Sequence, residues 1–227
     1  MSKEYFGGLD FGSSGARISI INFSKELLYE NSHTYLSEFR NPEGWINSCI
    51  RLFADVPLEI KKYLSRLAIS GTSGTLVPCD IKGRNLGNSI PYNKKCTSNL
   101  ERLNLIAGNN EFLKNPYSSL AKALTLIDTH GEDILLRHQS DWISGWFLND
   151  WQYGEEGNNI KLGWNIANRS WPQTFELSPL KKSVPSIIKS GKILGKVNRY
   201  IANKLKINKN LLIISGTTDS NASFIAA

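Results

Sequence analysis

The sequence predicts an α/β domain: a layered structure with a mixed central sheet flanked by helices. Three observations carry that expectation. Three β-prone runs open the chain, one with clear period-two alternation. A helix with a well-marked start follows them. Three short apolar strands, widely separated along the chain, each end in a turn rich in glycine and hydroxyl side chains.

Residues 4–10 read as a strand ending at Asp10. Residues 16–23 alternate apolar and polar side chains, which sets one face for burial. Residues 26–36 make a third strand. Asn41-Pro42-Glu43 then starts a helix, because proline needs no N–H partner in the first turn and an acidic group there complements the helix dipole. This helix runs to about Leu52, with Trp45, Ile46, Cys49, Ile50 and Phe53 on one face. A short helix is expected over 57–65. Strands are expected over 67–69 and 75–79, flanking a turn at 70–74, and an extended piece over 89–92. Helical patterns cover 97–107, 118–128, 138–149, 171–177 and 195–206, with loop over 150–165. Residues 211–215 form a strongly apolar strand, followed by a turn and the first turns of a helix. The order is three strands in hairpins, helix, strand, a helix-rich insertion, then strand and helix.

The 227 residues can bury one good core or two small ones. With 41% hydrophobic and 21% charged residues, the composition is that of a globular chain. No stretch approaches the roughly 20 apolar residues of a membrane helix, and Met1-Ser2-Lys3-Glu4-Tyr5 lacks the apolar core of an export signal. Cys49, Cys79 and Cys96 form neither a disulfide framework nor a metal-binding spacing. Together these features lead us to expect a cytoplasmic protein with no membrane partner. The net charge of +7 raises the question of nucleic acid. The lysines at 181–209 lack interleaved aromatics, so they read as a solvated basic face, with a general attraction for anions as the weaker alternative. No nucleic-acid partner is expected, and the oligomeric state is not legible.

The three turns are Leu9-Asp10-Phe11-Gly12-Ser13-Ser14-Gly15, Ile69-Ser70-Gly71-Thr72-Ser73-Gly74 and Ile214-Ser215-Gly216-Thr217-Thr218-Asp219-Ser220. Strand ends of this kind converge on one crevice in α/β folds, where ligands bind. Glycines let backbone N–H groups approach a phosphate, and hydroxyls add donors. Asp10 would repel that phosphate unless a divalent ion lay between them. Mg²⁺ is apt, since it takes one or two carboxylates plus phosphate oxygens. Asp219 has two readings. At a helix start it suits an N-cap. The functional alternative is a general base that accepts a proton from a substrate hydroxyl. The Gly-Lys-Ser/Thr ending of a Walker loop is missing, and the first turn is not Gly-x-Gly-x-x-Gly and leads into a strand. P-loop and dinucleotide folds are therefore disfavoured.

The segments GLDFGSSGARISIIN, LAISGTSGTLVPCD, SIPYNKKC, SSLAKAL, QSDWISGWF, NNIKLGWN and IISGTTDSNASFIAA resemble, in that order, the N-terminal domain of FGGY-family carbohydrate kinases. They look most like the xylulokinase-like kinases of cyanobacteria and plants that act on D-ribulose. The resemblance runs from about residue 5 to 227 and implies a ribonuclease H-like fold, shared with the sugar kinase, actin and heat-shock chaperone superfamily. It implies ATP-dependent phosphorylation of a small sugar, most often a ketopentose such as D-ribulose or D-xylulose, with ATP and Mg²⁺ as cofactors. Carried over motif by motif, Asp10 would organise Mg²⁺. Gly12, Ser13, Ser14 and Gly15 would meet the phosphoryl group, with Ser14 also near the sugar. Thr72 and Ser73 would face the sugar, and Asp219 would be the catalytic base as well as a sugar contact. Lys161 would approach the substrate.

The chain departs from the family at Tyr92-Asn93-Lys94, where Trp-Asn-Asp is common, at Thr72-Ser73, where Met/Gln-His is common, and at Gly154-Glu155-Glu156, where Ser-Asp-Tyr is usual. These departures leave the sugar identity open. The family also implies a second, nucleotide-binding domain after the Asp219 helix, so residues 1–227 are expected to be a sugar-binding domain without it. Two alternatives remain. One is a sugar-binding module that transfers no phosphate. The other is an actin- or chaperone-like ATPase fragment, disfavoured by the 139–165 insertion and the Gly-Thr-Thr-Asp turn. His33, His130 and His138 are expected to be surface or satisfied core residues. Trp45, Trp142 and Trp146 fit helical core faces, while one of Trp151, Trp164 and Trp171 is a candidate for sugar stacking. Lys122 is expected on the surface, with pairing to a carboxylate or a place near the cleft as the alternatives.

Overall fold

The computed structural model describes residues 3–226. In chain order the elements are β1 (Tyr5–Phe11), β2 (Gly15–Asn22), β3 (Leu27–Thr34), α1 (Pro42–Asp55), α2 (Leu58–Lys61), β4 (Leu64–Gly71), β5 (Leu76–Cys79), α3 (Leu100–Ala107) and α4 (Ser119–His130). Then come β6 (Leu135–His138), α5 (Gln139–Leu148), β7 (Tyr153–Glu155), α6 (Glu156–Asn159), α7 (Leu180–Ser183), β8 (Ser186–Ile188), β9 (Ile193–Lys196), α8 (Arg199–Leu205), β10 (Leu212–Ile214) and α9 (Asp219–Ala226).

Six strands form one mixed sheet in the order β3-β2-β1-β4-β10-β9. The hairpins β1–β2–β3 are antiparallel, β1, β4 and β10 are mutually parallel, and β9 closes the edge antiparallel to β10. One face of this sheet is apolar. Leu9 and Phe11, Ile18 and Ile20, Leu67 and Ile69, and Ile213 are buried, while Gly8, Arg17 and Arg66 are exposed. The period-two pattern therefore has its expected physical cause, a sheet with one buried face. Helices α1, α5 and α8 contribute the other half of this core, through Trp45, Phe53, Trp142, Phe147 and Ile201. The α1 start is as read from sequence: the Asn41 side chain accepts from Glu43 N.

The insertion has its own core. Leu76 and Leu136 of β5 and β6 pack with Leu103 of α3, Leu120 and Leu124 of α4, and Phe175. Among the described residues no helix is long and apolar enough to cross a membrane.

Several elements differ from expectation. The 57–65 helix stops at Lys61, because Leu64 already pairs with Tyr5 and the strand expected at 67–69 begins there. Sheet pairing outweighs local helical pattern. The 150–165 loop is β7, α6 and a 3-10 turn over Ile160–Leu162. The 195–206 helix is split: Ile193–Lys196 pairs with β10, and α8 starts after Asn198, which caps Tyr200 N. Residues 173–177 are 3-10 rather than α-helix, and β6 and β8 were not foreseen.

Trp151, a stacking candidate, is 7% exposed and belongs to the main core, where its indole N–H donates to the Trp142 carbonyl. A Cβ on Gly145 would lie 2.3 Å from its Cδ1, so Gly145 makes room for that ring.

Lys122 is also not on the surface. It is fully buried in the insertion core, with its ammonium donating to the Tyr117 carbonyl. Burial pushes its pKa down from the ordinary 10.5 to about 8. Between those values the unfolded chain holds the proton and the folded chain does not, so this group makes stability rise with pH across that window. The stability of the wild-type chain relative to Lys122→Met should therefore increase from pH 8 to pH 10.5, by on the order of 1–3 kcal/mol, in urea unfolding series at each pH. A flat or falling difference would show that the ammonium is solvated.

Candidate functional site

The parallel strands β1, β4 and β10 end at the same edge of the sheet, each in one of the three glycine-rich turns. Phe11 is level with Gly71, and Gly71 forms a parallel bridge with Thr218. The turns bearing Asp10 and Asp219 are therefore two inter-strand steps apart, roughly 10 Å. The bridge needs a close approach: a Cβ on Gly216 would lie 1.9 Å from the Ile69 carbonyl oxygen. Only glycine fits there.

Asp10 is partly exposed near the end of β1, opposite Ser70 of β4. One of its carboxylate oxygens accepts from Ser70 Oγ at 2.8 Å. The first turn closes through Gly12 N donating to the Gly15 carbonyl at 3.0 Å, which leaves Ser13 and Ser14 exposed at its tip. Tyr35 ties this turn down from β3's end: its N–H donates to the Ser14 carbonyl and its hydroxyl to the Gly12 carbonyl, at 3.1 and 2.9 Å. Burial, aided by the Asp10 charge, pushes the Tyr35 phenol well above its usual pKa, so it stays a neutral donor. A cavity of about 210 Å³ adjoins the turn, lined by Asp10, Gly12, Ser14, Gly15, Arg17 and His33 among others.

The second turn is held from behind. Gln139, at the start of α5, is fully buried, and its Oε1 accepts from both Thr72 N and Thr72 Oγ1 at 2.9 and 2.8 Å. Thr72 Oγ1 also meets Thr75 Oγ1 at 2.7 Å. Thr72 is 4% exposed, so its hydroxyl is engaged inside the protein, and Ser73 is the partly exposed residue of the pair. Lys161 reaches the same turn, donating to the Ser73 carbonyl at 3.3 Å. Partial burial lowers its pKa, and the nearby Asp219 charge acts in the opposite direction.

Asp219 is the first residue of α9 and is partly exposed. The capping bond comes from its neighbour: Thr218 Oγ1 accepts from Asn221 N at 3.3 Å. Asp219 accepts from Ser220 N at 2.8 Å through one oxygen, and its other oxygen has no partner among the described residues. The N-cap reading thus belongs to Thr218, and Asp219 is left with a free acceptor.

Asp10 likewise has one uncommitted carboxylate oxygen among the described residues. No group of three or more His, Cys, Asp or Glu able to hold a metal occurs among them. A single carboxylate beside exposed hydroxyls suits Mg²⁺, which fills its remaining positions with water and phosphate oxygens.

Sequence reasoning missed Tyr35, Ser70, Gln139 and Glu155. Glu155 is buried, caps α6 through Gly157 N and Asn158 N at 2.8 Å each, and so fixes the segment that carries Lys161. Tyr35, Ser70 and Gln139 act on partners distant in sequence, so no spacing marks them, whereas Glu155 caps a helix two and three residues on. His33 meets Asp55 at 2.7 Å, as expected of a surface histidine, but His138 is not the satisfied core residue expected: it is buried with Nε2 against Ser119 Oγ at 2.9 Å, and its Nδ1 has no hydrogen-bond partner among the described residues. Trp171 stacks on Phe175 and meets Trp164 edge-on.

No family model matches the sequence. Solved structures do match its fold. A xylulose kinase from Rhodospirillum rubrum superposes with a TM-score of 0.85 at 17% identity, over 98% of this chain and 51% of that one. A gluconate kinase from Lactobacillus acidophilus gives 0.83 at 16% identity, over 98% and 49%. A Plasmodium falciparum glycerol kinase with ADP gives 0.80 at 15% identity, over 98% and 50%. The chain has the fold of one half of these sugar kinases and spans about half their length.

Replacing Gln139 by Leu removes the acceptor shared by Thr72 N and Oγ1. Stability in urea should fall by about 1–3 kcal/mol. In a Thr72→Val background the same change should cost measurably less, because one of the two donors is already gone. Equal costs in both backgrounds would show that Gln139 does not hold the turn.

Proposed function

We propose that this chain is the sugar-binding domain of an ATP-dependent carbohydrate kinase. Its substrate is a small sugar, with a ketopentose (D-ribulose or D-xylulose) favoured, and its partner is a nucleotide-binding domain in the same protein. The observation that carries the reading is the shared edge of β1, β4 and β10, where one turn bears Asp10 and another bears Asp219. The fold held in common with sugar kinases supports it.

In this reading Asp219 accepts the proton of the attacking hydroxyl through its free oxygen. Ser73 and Ser14 bind the sugar, and Thr72 holds the Ser73 turn in place. Lys161 supplies positive charge beside Asp219. Ser13 and the backbone of Gly12–Gly15 receive the phosphoryl group, and Asp10 holds Mg²⁺. When bound, Mg²⁺ neutralises phosphate charge, the main requirement of phosphoryl transfer beyond positioning.

A second reading is a sugar-binding module that transfers no phosphate.

The test uses the chain extended by its downstream half, with ATP, Mg²⁺ and a pentose panel, following ADP release. Turnover should require a ketopentose. Asp219→Ala should lower it by about 10²–10⁴-fold, with sugar affinity measured by calorimetry falling far less. Sugar binding without turnover in the extended protein would favour the module. Turnover unchanged by Asp219→Ala would remove Asp219 as the base.

A further inference from the structure

A second cavity, of about 510 Å³, lies on the 89–98 segment. That volume is within the range of small-molecule sites. Its lining includes Arg40, Lys94 and Lys95, together with Asn93, Thr97 and Ser98, and it includes no carboxylate. The only ion pair these cations make among the described residues is Arg40 with Glu38, at 3.4 Å between two exposed side chains. Such a pair is weak.

The backbone that carries the cations is fixed. Ser89 donates to the Arg40 carbonyl through its N–H and its hydroxyl, at 2.8 and 3.0 Å. Ile90 pairs with Leu76, Lys94 N donates to the Pro91 carbonyl at 3.0 Å, and Cys96 N donates to the Pro116 carbonyl at 2.9 Å. Cys96, 9% exposed, forms part of the floor. The groove is therefore a recess with three cations and no carboxylate in its lining, and Glu38, outside the lining, offsets only Arg40 through that weak pair.

We propose that this groove binds a small molecule bearing a phosphoryl or pyrophosphoryl group. Several cations with neighbouring hydroxyl and amide donors suit an anion of multiple charge and many acceptor oxygens. A monocarboxylate would leave most of the cations unpaired. A nucleic-acid strand is disfavoured because no aromatic side chain lines the recess for base stacking. The groove shares no lining residue with the cavity beside Asp10, and its anion binding does not depend on the kinase reading. The groove and the second turn are neighbours through one segment, since Tyr92 N donates to Thr75 Oγ1 at 3.1 Å and Thr75 meets Thr72.

The experiment is calorimetric titration of the chain with inorganic pyrophosphate, free of Mg²⁺ and at constant ionic strength. Three variants accompany the wild type: Lys94→Ala/Lys95→Ala, Arg40→Met, and Lys181→Ala/Lys182→Ala, which removes two charges from a different surface. Saturable binding is expected in the wild type. It should weaken by about tenfold in the Lys94/Lys95 variant and several-fold in Arg40→Met, and remain unchanged in the Lys181/Lys182 variant. No saturable heat would overturn the proposal. So would equal affinity in the Lys94/Lys95 variant, which would place the anion elsewhere, including at the Gly12–Gly15 turn. Equal weakening in both lysine pairs would reduce the effect to net charge.

Discussion

The close approach of Gly216 to the Ile69 carbonyl is the constraint on which the candidate site depends. It lets the chain leaving β10 continue level with the end of β4, so that Thr218 bridges Gly71 and Asp219 emerges beside the second turn. A side chain at 216 would push the strand end away from β4 and carry Asp219 with it. The parallel register of β1 on β4 does the same for Asp10. Two carboxylates separated by more than 200 residues of sequence are thereby brought to one edge, and the insertion between β4 and β10 supplies Lys161, which donates to the Ser73 carbonyl of the second turn.

Behind that edge the turns rest on buried polar groups rather than on apolar packing alone. Tyr35 fixes the first turn, Gln139 the second, and Glu155 the segment that carries Lys161. Inside a protein such bonds are expensive to leave unmade. The exposed hydroxyls of Ser13 and Ser14 therefore project from a turn held in one position. Flexible glycines on a fixed backing give backbone N–H groups that can approach a ligand without the loop wandering.

The part of this legible in the sequence was the part written in short-range pattern. The alternation in 16–23, the Asn41-Pro42-Glu43 start and the three strand-then-glycine turns all depend on neighbours within a few residues, and they appear in the structure as read. Bounds decided by distant partners were misread. The strand read at 67–69 starts earlier, at Leu64, because β1 flanks it there, and Ile193–Lys196, overlapping a segment read as helix, is a strand because it lies on β10. The site followed the same rule. Asp10, Ser73 and Asp219 announced themselves by their turns, whereas Gln139 and Tyr35 act across 67 and 23 residues of chain and carry no local mark. Thr72 was legible as a turn residue, but the direction of its hydroxyl was not, and capping fell to Thr218 rather than Asp219.

The most direct measurement is a crystal structure of the chain grown with D-ribulose or D-xylulose. The account predicts the sugar between the Asp10 and Asp219 turns, with one hydroxyl within about 2.6–3.2 Å of an Asp219 carboxylate oxygen and another near Ser73. A sugar bound on another face, or Asp10 and Asp219 directed away from a common space, would contradict it.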